Sequence, residues 1–465
     1  MDPPMMIRML WQQRQMARRD HWTHQQLRAH QARRLAELRR HAVEHSPFYR
    51  RFHGGRTDQP LSALPVLTKI MVMEHFDQLV TDPRIRLADL QQHAATVTAD
   101  QRYLGRYRVV ATGGTTGRPG LFLFDGRAWA ELLAGSRGPL FAHTPNDRPG
   151  RPRSAQIGSA HPLHLSRRGA LTVRNPLLPL LLLSALDPVP VLVDRLNAFQ
   201  PTNLTGYPSL LAVLADEQLA GRLQIAPAHV FTTSEVLTAD VRARVREAFG
   251  SEPYDQYVTT EAGAVGAECT QHAGLHLFED QTIIEVVDDH HQPVPAGRFG
   301  AKLLVTVLYN QTQPLIRYEL DDSLRLAPQP CGCGRPYPLA HSVQGRTQDV
   351  LQLPRVGGGQ VAVHPLVFHQ VMEQAPTAGW QVVHEPGRLR LLVVAPGAGF
   401  NQDLVRTTLT AELRRLRVQD PAVVVERTDS IPRTPNGKVR LVVSSPTTTG
   451  ADATQAGRRV PNARR

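Results

Sequence analysis

The chain has 465 residues, with 53 Lys plus Arg against 41 Asp plus Glu, a formal charge of +12, and 41% hydrophobic residues. That length allows two or three packed domains with a sizeable core, and no run approaches the ~20 apolar residues of a membrane-spanning helix. Three cysteines cannot build a secreted disulfide framework, and the opening MDPPMMIRML lacks a signal-peptide core, so a cytoplasmic protein with reduced thiols or a metal site is expected.

The positive charge is concentrated at the ends. Residues 1–57 carry twelve Arg against four acids, and 446–465 carry four Arg against Asp452, leaving the body between them close to neutral. A nucleic-acid surface spread across the fold is therefore not expected. Lys69, Lys302 and Lys438 are the only lysines. Each of them merits a question, because a compact ammonium and a planar guanidinium do different chemistry.

Residues 5–46 hold no Pro or Gly and are predicted as one helix, ended by Pro47. From about 100 to 345, short apolar runs alternate with helical stretches. Strands are expected at 107–111, 120–124, 155–157, 189–193, 230–233 and 254–258, and helices at 126–140, 209–223 and 239–249. This alternation predicts an α/β protein with largely parallel sheets. Segments 281–288 and 301–308 read as a β-rich subdomain. Beyond Gly345 the rhythm restarts: strands at 349–353, 380–384, 389–394 and 422–426 flank helices at 365–374 and 401–416, an α+β unit. The expected division is 1–99, a helical extension and the start of the large domain; 100–345, its core; 346–442, the C-terminal α+β domain; and 443–465, a disordered basic tail.

Five segments carry possible chemistry. In VATGGTTGRPG (110–120), Gly113, Gly114 and Gly117 let backbone N–H groups approach an anion, and Thr112, Thr115 and Thr116 add hydroxyls. The same residues also make an ordinary Gly/Thr turn, and the Walker pattern is absent. In YDQYVTTEAG (254–263), Glu261 beside Thr260 suits Mg²⁺, though a solvated loop carboxylate is equally compatible. PLIRYELDD (314–322) offers Asp322, which could accept both hydroxyls of a ribose or simply end a strand. GRTQD (345–349) marks the break between the two blocks. IPRTPNGKVR (431–440) presents Lys438 on a turn.

In this order the five segments resemble the adenylate-forming enzyme superfamily. HAVEHSPFYR (41–50), LPVLTK (64–69), GLHLFED (274–280) and CGCGRP (331–336) are similar to its phenylacetate–CoA ligase-like branch. The resemblance spans about residues 30–442. It implies ATP-dependent conversion of a carboxylic acid, aromatic by analogy, to acyl-AMP, followed by transfer to coenzyme A. It also implies a small mobile C-terminal domain. Thr112 through Gly117 would wrap the β- and γ-phosphates, and Glu261 with Thr260 would bind Mg²⁺. Tyr257 would lie beside adenine near the Ser234–Glu235 loop, and Asp322 would hold the ribose. Arg346 would support the nucleotide, and Lys438 would bridge carboxylate and α-phosphate.

Two departures stand out. Val258 replaces the glycine of the YGxTE pattern, which should reshape an acyl pocket lined by Tyr207, Ser234 and Val258. Gln348 replaces the hinge acid of GRxDD, which keeps open transfer to an amine, a carrier protein or another acceptor. Separately, Cys269, His276, Cys331 and Cys333 make a closed set for structural zinc, unless they are unconnected buried thiols. The remaining histidines, among them His161 and His164, read as surface or core. The basic first helix reads as a partly packed extension or a homodimer contact, and a non-catalytic scaffold binding acidic partners is the reading from another class.

Overall fold

The computed structural model describes residues 3–56, 58–112, 120–137, 152–174, 178–346, 351–363, 366–372, 375, 377–432 and 439–444. The chain divides into two compact units, Met1–Gln348 with Pro432–Arg440, and Asp349–Ile431 with Leu441–Arg465.

The stretch predicted as one helix is two, Pro3–Arg19 and His24–His45. The cause is a capping box. Thr23 Oγ1 accepts the Gln26 N–H at 3.2 Å, while Gln26 Oε1 accepts the Thr23 N–H at 2.9 Å. The first helix buries Met5, Met9 and Met16 against its own unit, so it is an integral part of the fold.

The large unit is built on a nine-stranded sheet. Its strands are β3 (Ser154–Gly158), β4 (Leu180–Ser184), β5 (Asn203–Gly206), β6 (His229–Thr233), β7 (Tyr254–Thr259), β8 (Gly263–Glu268), β9 (Leu275–Leu277), β13 (Asp322–Leu326) and β14 (Leu339–Arg346). The order is β13-β14-β9-β8-β7-β6-β5-β3-β4. Strands β4, β3, β5, β6 and β7 are parallel, joined through helices Leu165–Val173, Val189–Phe199, Pro208–Leu219 and Ala239–Phe249. The remaining pairings are antiparallel. Ile157, Leu192, Leu196, Leu204, Leu211 and Val230 form one core cluster. Trp129, Leu132, Val265, Leu277 and Val305 belong to another. Two smaller sheets complete the unit: the hairpin β1 (Arg108–Ala111)–β2 (Leu121–Phe124), and β10 (Thr282–Val287)–β11 (Lys302–Val307)–β12 (Tyr318–Leu320).

The strand expected at 189–193 is instead the start of a helix. Pro188 stands at its N-cap position and a proline lies in its first turn, where no N–H is missed, and Leu192, Val193 and Leu196 fall on its buried side. The helix expected over 126–140 ends at Gly135. Strands β4 and β5 had no counterpart in the periodicity.

In the second unit β19 (Val423–Thr428), β18 (Arg388–Pro396), β17 (Thr377–Glu385) and β20 (Val442–Ser444) form a four-stranded sheet, and β15 (Leu351–Pro354) pairs with β16 (Gln360–Val363). Helices Leu366–Met372 and Gln402–Arg415 supply Phe368, Leu409 and Leu413 to a core with Trp380, Val382 and Leu391. Full burial of such a leucine contributes about 1.5–3 kcal/mol. No described helix of the chain is long and apolar enough to cross a membrane.

Candidate active site and Cys/His centre

The strand order reverses between β3 and β5, and in open α/β sheets ligands bind outside the strand C-termini at such a point. Here Tyr207, immediately after β5, turns its hydroxyl back to accept the Ser159 N–H at 3.0 Å. Tyr207 is buried. Along the same edge of the sheet, Ser234 follows β6 with a φ of 70°. A left-handed conformation is uncommon for a non-glycine residue and clusters at functional loops.

At the end of β7 two of the motifs interlock. Tyr257 Oη donates to Asp322 Oδ2 at 2.7 Å. From the other motif, Tyr318 is buried, and burial first, then the charge of Glu261, pushes its phenol well up. Each motif's tyrosine therefore meets the other motif's acid, one through a hydrogen bond and one through charge. Glu261 is buried, Thr260 beside it is half-buried, and Thr259 Oγ1 accepts the Ala262 N–H at 3.1 Å to tighten the turn. Val258 sits at a bulge where the β7–β8 register shifts, half-buried against the core. Arg317, by contrast, points away as a brace. Its guanidinium bonds Glu285 at 3.0 Å and the Ser62 carbonyl at 3.1 Å, and also reaches the Leu64 carbonyl.

The Gly/Thr loop is framed at its base. Thr112 N–H donates to the Gly120 carbonyl at 3.0 Å, and Gly120 N–H donates to Thr112 Oγ1 at 2.8 Å. Gly113, Gly114, Thr115, Thr116 and Gly117 lie outside the described residues, as do Gln348 and Lys438. Lys69, at the start of the helix Lys69–Glu74, lays its Cε 3.2 Å from where a Cβ on Gly120 would stand. Sequence reading found no lysine near this loop. The fold brings one there from the LPVLTK segment, and only the scarcity of lysine could have pointed to it. Arg346 ends β14, in register with Asp322.

The second constellation is the Cys/His set. Donor atoms of Cys269, His276, Cys331 and Cys333 all lie within 4.8 Å of one another. Cys269 Sγ is 3.8 Å from Cys331 Sγ, and Cys333 Sγ is 3.5 Å from His276 Nε2. A tetrahedron with metal–sulfur bonds of about 2.3 Å has edges of roughly 3.8 Å, so the donor set fits zinc. His276 is central in the ladder, with Ala267 on one side and Leu339 on the other. Leu27, Phe278 and Tyr337 enclose the group. Burial, then the charge of Arg335, lowers His276 to about 4 and keeps the imidazole neutral, as a ligand requires. Burial raises Cys269 to about 12, whereas Cys333 is lowered: hydrogen bonds from Arg335 and the neighbouring thiols outweigh its burial.

A buried ionic network missed at the sequence level adjoins this centre. Arg137 lies over the Phe278 ring, 4.4 Å from its centroid. It bonds Asp20 at 3.0 Å, Tyr337 Oη at 3.1 Å and also Asp280, which Arg19 reaches at 3.2 Å. The break between the first two helices thus carries an acid inward to a buried guanidinium.

No protein-family model matches the chain. It is 28% identical over 355 residues to a phenylacetate–coenzyme A ligase of Thermus thermophilus, covering 70% of this chain and 72% of that one. It is 26% identical over 343 residues to one from Pseudomonas putida, with the same shares of 70% and 72%. Among solved structures, 2-hydroxyisobutyryl-CoA ligase in its post-adenylation state with 2-HIB-AMP superposes with a TM-score of 0.70, at 22% identity and 92% of each chain. The fold, with these relatives, is that of the adenylate-forming superfamily. Within that superfamily the curated relatives it resembles are phenylacetate–coenzyme A ligases.

Proposed function

We propose that this protein is an AMP-forming acid–CoA ligase. The carboxylate oxygen of a small acid attacks the α-phosphorus of ATP, the bond to the β-phosphate breaks, and pyrophosphate leaves. The thiol of coenzyme A then attacks the acyl carbonyl, loses its proton, and AMP departs. The observation that carries this reading is the hydrogen bond from Tyr257 to Asp322, which joins two nucleotide motifs at one strand end.

The roles follow the geometry and the resemblance. Thr112 and residues Gly113, Gly114, Thr115, Thr116 and Gly117 take the β- and γ-phosphates, with the Lys69 ammonium beside the loop base. Asp322 accepts the ribose hydroxyls, with Tyr257 holding one of its oxygens, and Ser234, on the loop it shares with Glu235, and Arg346 complete the nucleotide site. Glu261 and Thr260 offer the hard oxygens that Mg²⁺ prefers, and the ion would supply charge neutralisation on the phosphates. Lys438 stabilises charge at the α-phosphate, an effect worth a few kcal/mol. Tyr207 and Val258 bound the acyl pocket. Cys269, His276, Cys331 and Cys333 hold a structural zinc, and cysteines outside any disulfide suit the cytoplasm.

The test is ATP–pyrophosphate exchange over benzoic, phenylacetic, cinnamic, short 2-hydroxy, amino and fatty acids, with coenzyme A then added to the positive acids. Exchange with one class followed by thioester formation is expected. Exchange without thioester favours the second reading, transfer to an amine or carrier protein, for which Gln348 in place of the hinge acid is the specific observation.

A further inference from the structure

Glu235 joins two parts of the large unit that are far apart in sequence. Its Oε2 accepts the Ser209 N–H at 3.0 Å, and its Oε1 accepts the Val439 N–H at 2.6 Å. Ser209 lies in the first turn of the helix Pro208–Leu219, whose N-cap, Tyr207, supplies no side-chain cap because its hydroxyl is turned to Ser159. The open N-terminus of that helix is therefore capped by a carboxylate from the neighbouring loop, where negative charge is favoured. Val439 belongs to the same unit, within Pro432–Arg440, and directly follows Lys438 in the chain.

We propose that Glu235 is a positioning residue for adenylation: anchored on the helix N-terminus, its carboxylate fixes the backbone at Val439 and so the point from which Lys438 reaches the α-phosphate. This rests on the role given to Lys438 above. A carboxylate suits the task because it is acceptor-only and can take an N–H on each oxygen. A glutamine amide has a single acceptor oxygen and presents N–H donors to the other backbone N–H.

The experiment compares wild type, Glu235→Gln, Lys438→Ala and the double variant in ATP–pyrophosphate exchange, with hydrogen exchange at the Val439 amide as a readout independent of activity. Glu235→Gln is expected to lower kcat about tenfold with KM for ATP within twofold, to cost nothing further in the Lys438→Ala background, and to deprotect the Val439 amide. Val439→Pro removes the donor from the other side and should reproduce the kcat loss if Glu235→Gln folds poorly. A loss that persists undiminished without Lys438, or a raised KM with kcat intact, overturns the proposal. So does a Val439 amide that exchanges equally fast in wild type and variant, an outcome that leaves the role of Lys438 standing. Full exchange activity in Lys438→Ala would remove the role of Lys438 and this one together.

Discussion

Tyr257 Oη and Asp322 Oδ2 stand 2.7 Å apart, so the acid assigned to the ribose already has one oxygen oriented by the ring assigned to the adenine side. Orientation before binding lowers the ordering cost that a ligand would otherwise meet. Tyr257→Phe keeps the ring and removes the donor. It is expected to raise KM for ATP about threefold to tenfold, the size of one hydrogen bond of roughly 1 kcal/mol, with little change in kcat. Steady-state kinetics at saturating acid checks this, and an unchanged KM would detach Tyr257 from the nucleotide site.

The Cys/His set should purify with about one zinc per chain, measured by elemental analysis of protein freed of loosely bound metal. Cys331→Ser should lower the zinc content and the melting temperature together, because a closed four-ligand site tolerates loss of a thiolate poorly. Protein that is metal-free yet melts unchanged would return Cys269, Cys331 and Cys333 to the status of unconnected thiols.

Arg137 is buried with Asp280, Asp20 and Tyr337 around it. Arg137→Ala leaves two acids facing a vacated guanidinium site and should destabilise by about 3–5 kcal/mol in urea unfolding. Arg137→Met, which refills the volume but not the charge, should be nearly as harmful. A loss under about 1 kcal/mol would mean that solvent reaches Asp280 when Arg137 is gone.

His53 is 1% exposed among Tyr49 and Phe52. Burial first, then the positive charges of Arg39 and Arg56, lowers it from 6.5 to about 4. The folded state resists its protonation while the unfolded chain takes the proton, so its contribution is present above pH 6.5 and is lost as pH falls through about 4. His53→Phe should remove that dependence. Relative to the variant, wild type should lose up to about 3 kcal/mol across the window, read from unfolding midpoints at matched pH values. Parallel stability curves for the two proteins would contradict it.

What the sequence made legible was chemistry that depends on residue identity. Cys269, His276, Cys331 and Cys333 stood out because cysteine is rare, and the YDQYVTTEAG and PLIRYELDD segments because their order is specific. What it concealed depends on tertiary partners. VPVLV after Pro188 has the β-branched look of a strand, yet Leu192 and Leu196 make it a helix through burial that no local pattern announces. The stretch 5–46 lacks any breaker, so only Thr23 with Gln26 marked its division. Arg137, Lys69 and Glu235 gave no local signal of their partners; each acquires its meaning from a group at least 26 residues away in the chain.

The four sulfur and nitrogen donors come from two stretches of chain, and Cys269 and Cys331 are 62 positions apart. Between them run β10, β11, β12 and most of what Tyr318 and Asp322 need to stay in register. A metal that ties those ends together shortens the denatured chain much as a covalent cross-link would. In the chain-entropy treatment of disulfides, closing a loop of that length is worth about 4 kcal/mol. The ion would then act from the unfolded side of the equilibrium. It would bias the segment proposed to hold the ribose toward its folded form before any nucleotide arrives, without touching substrate at all.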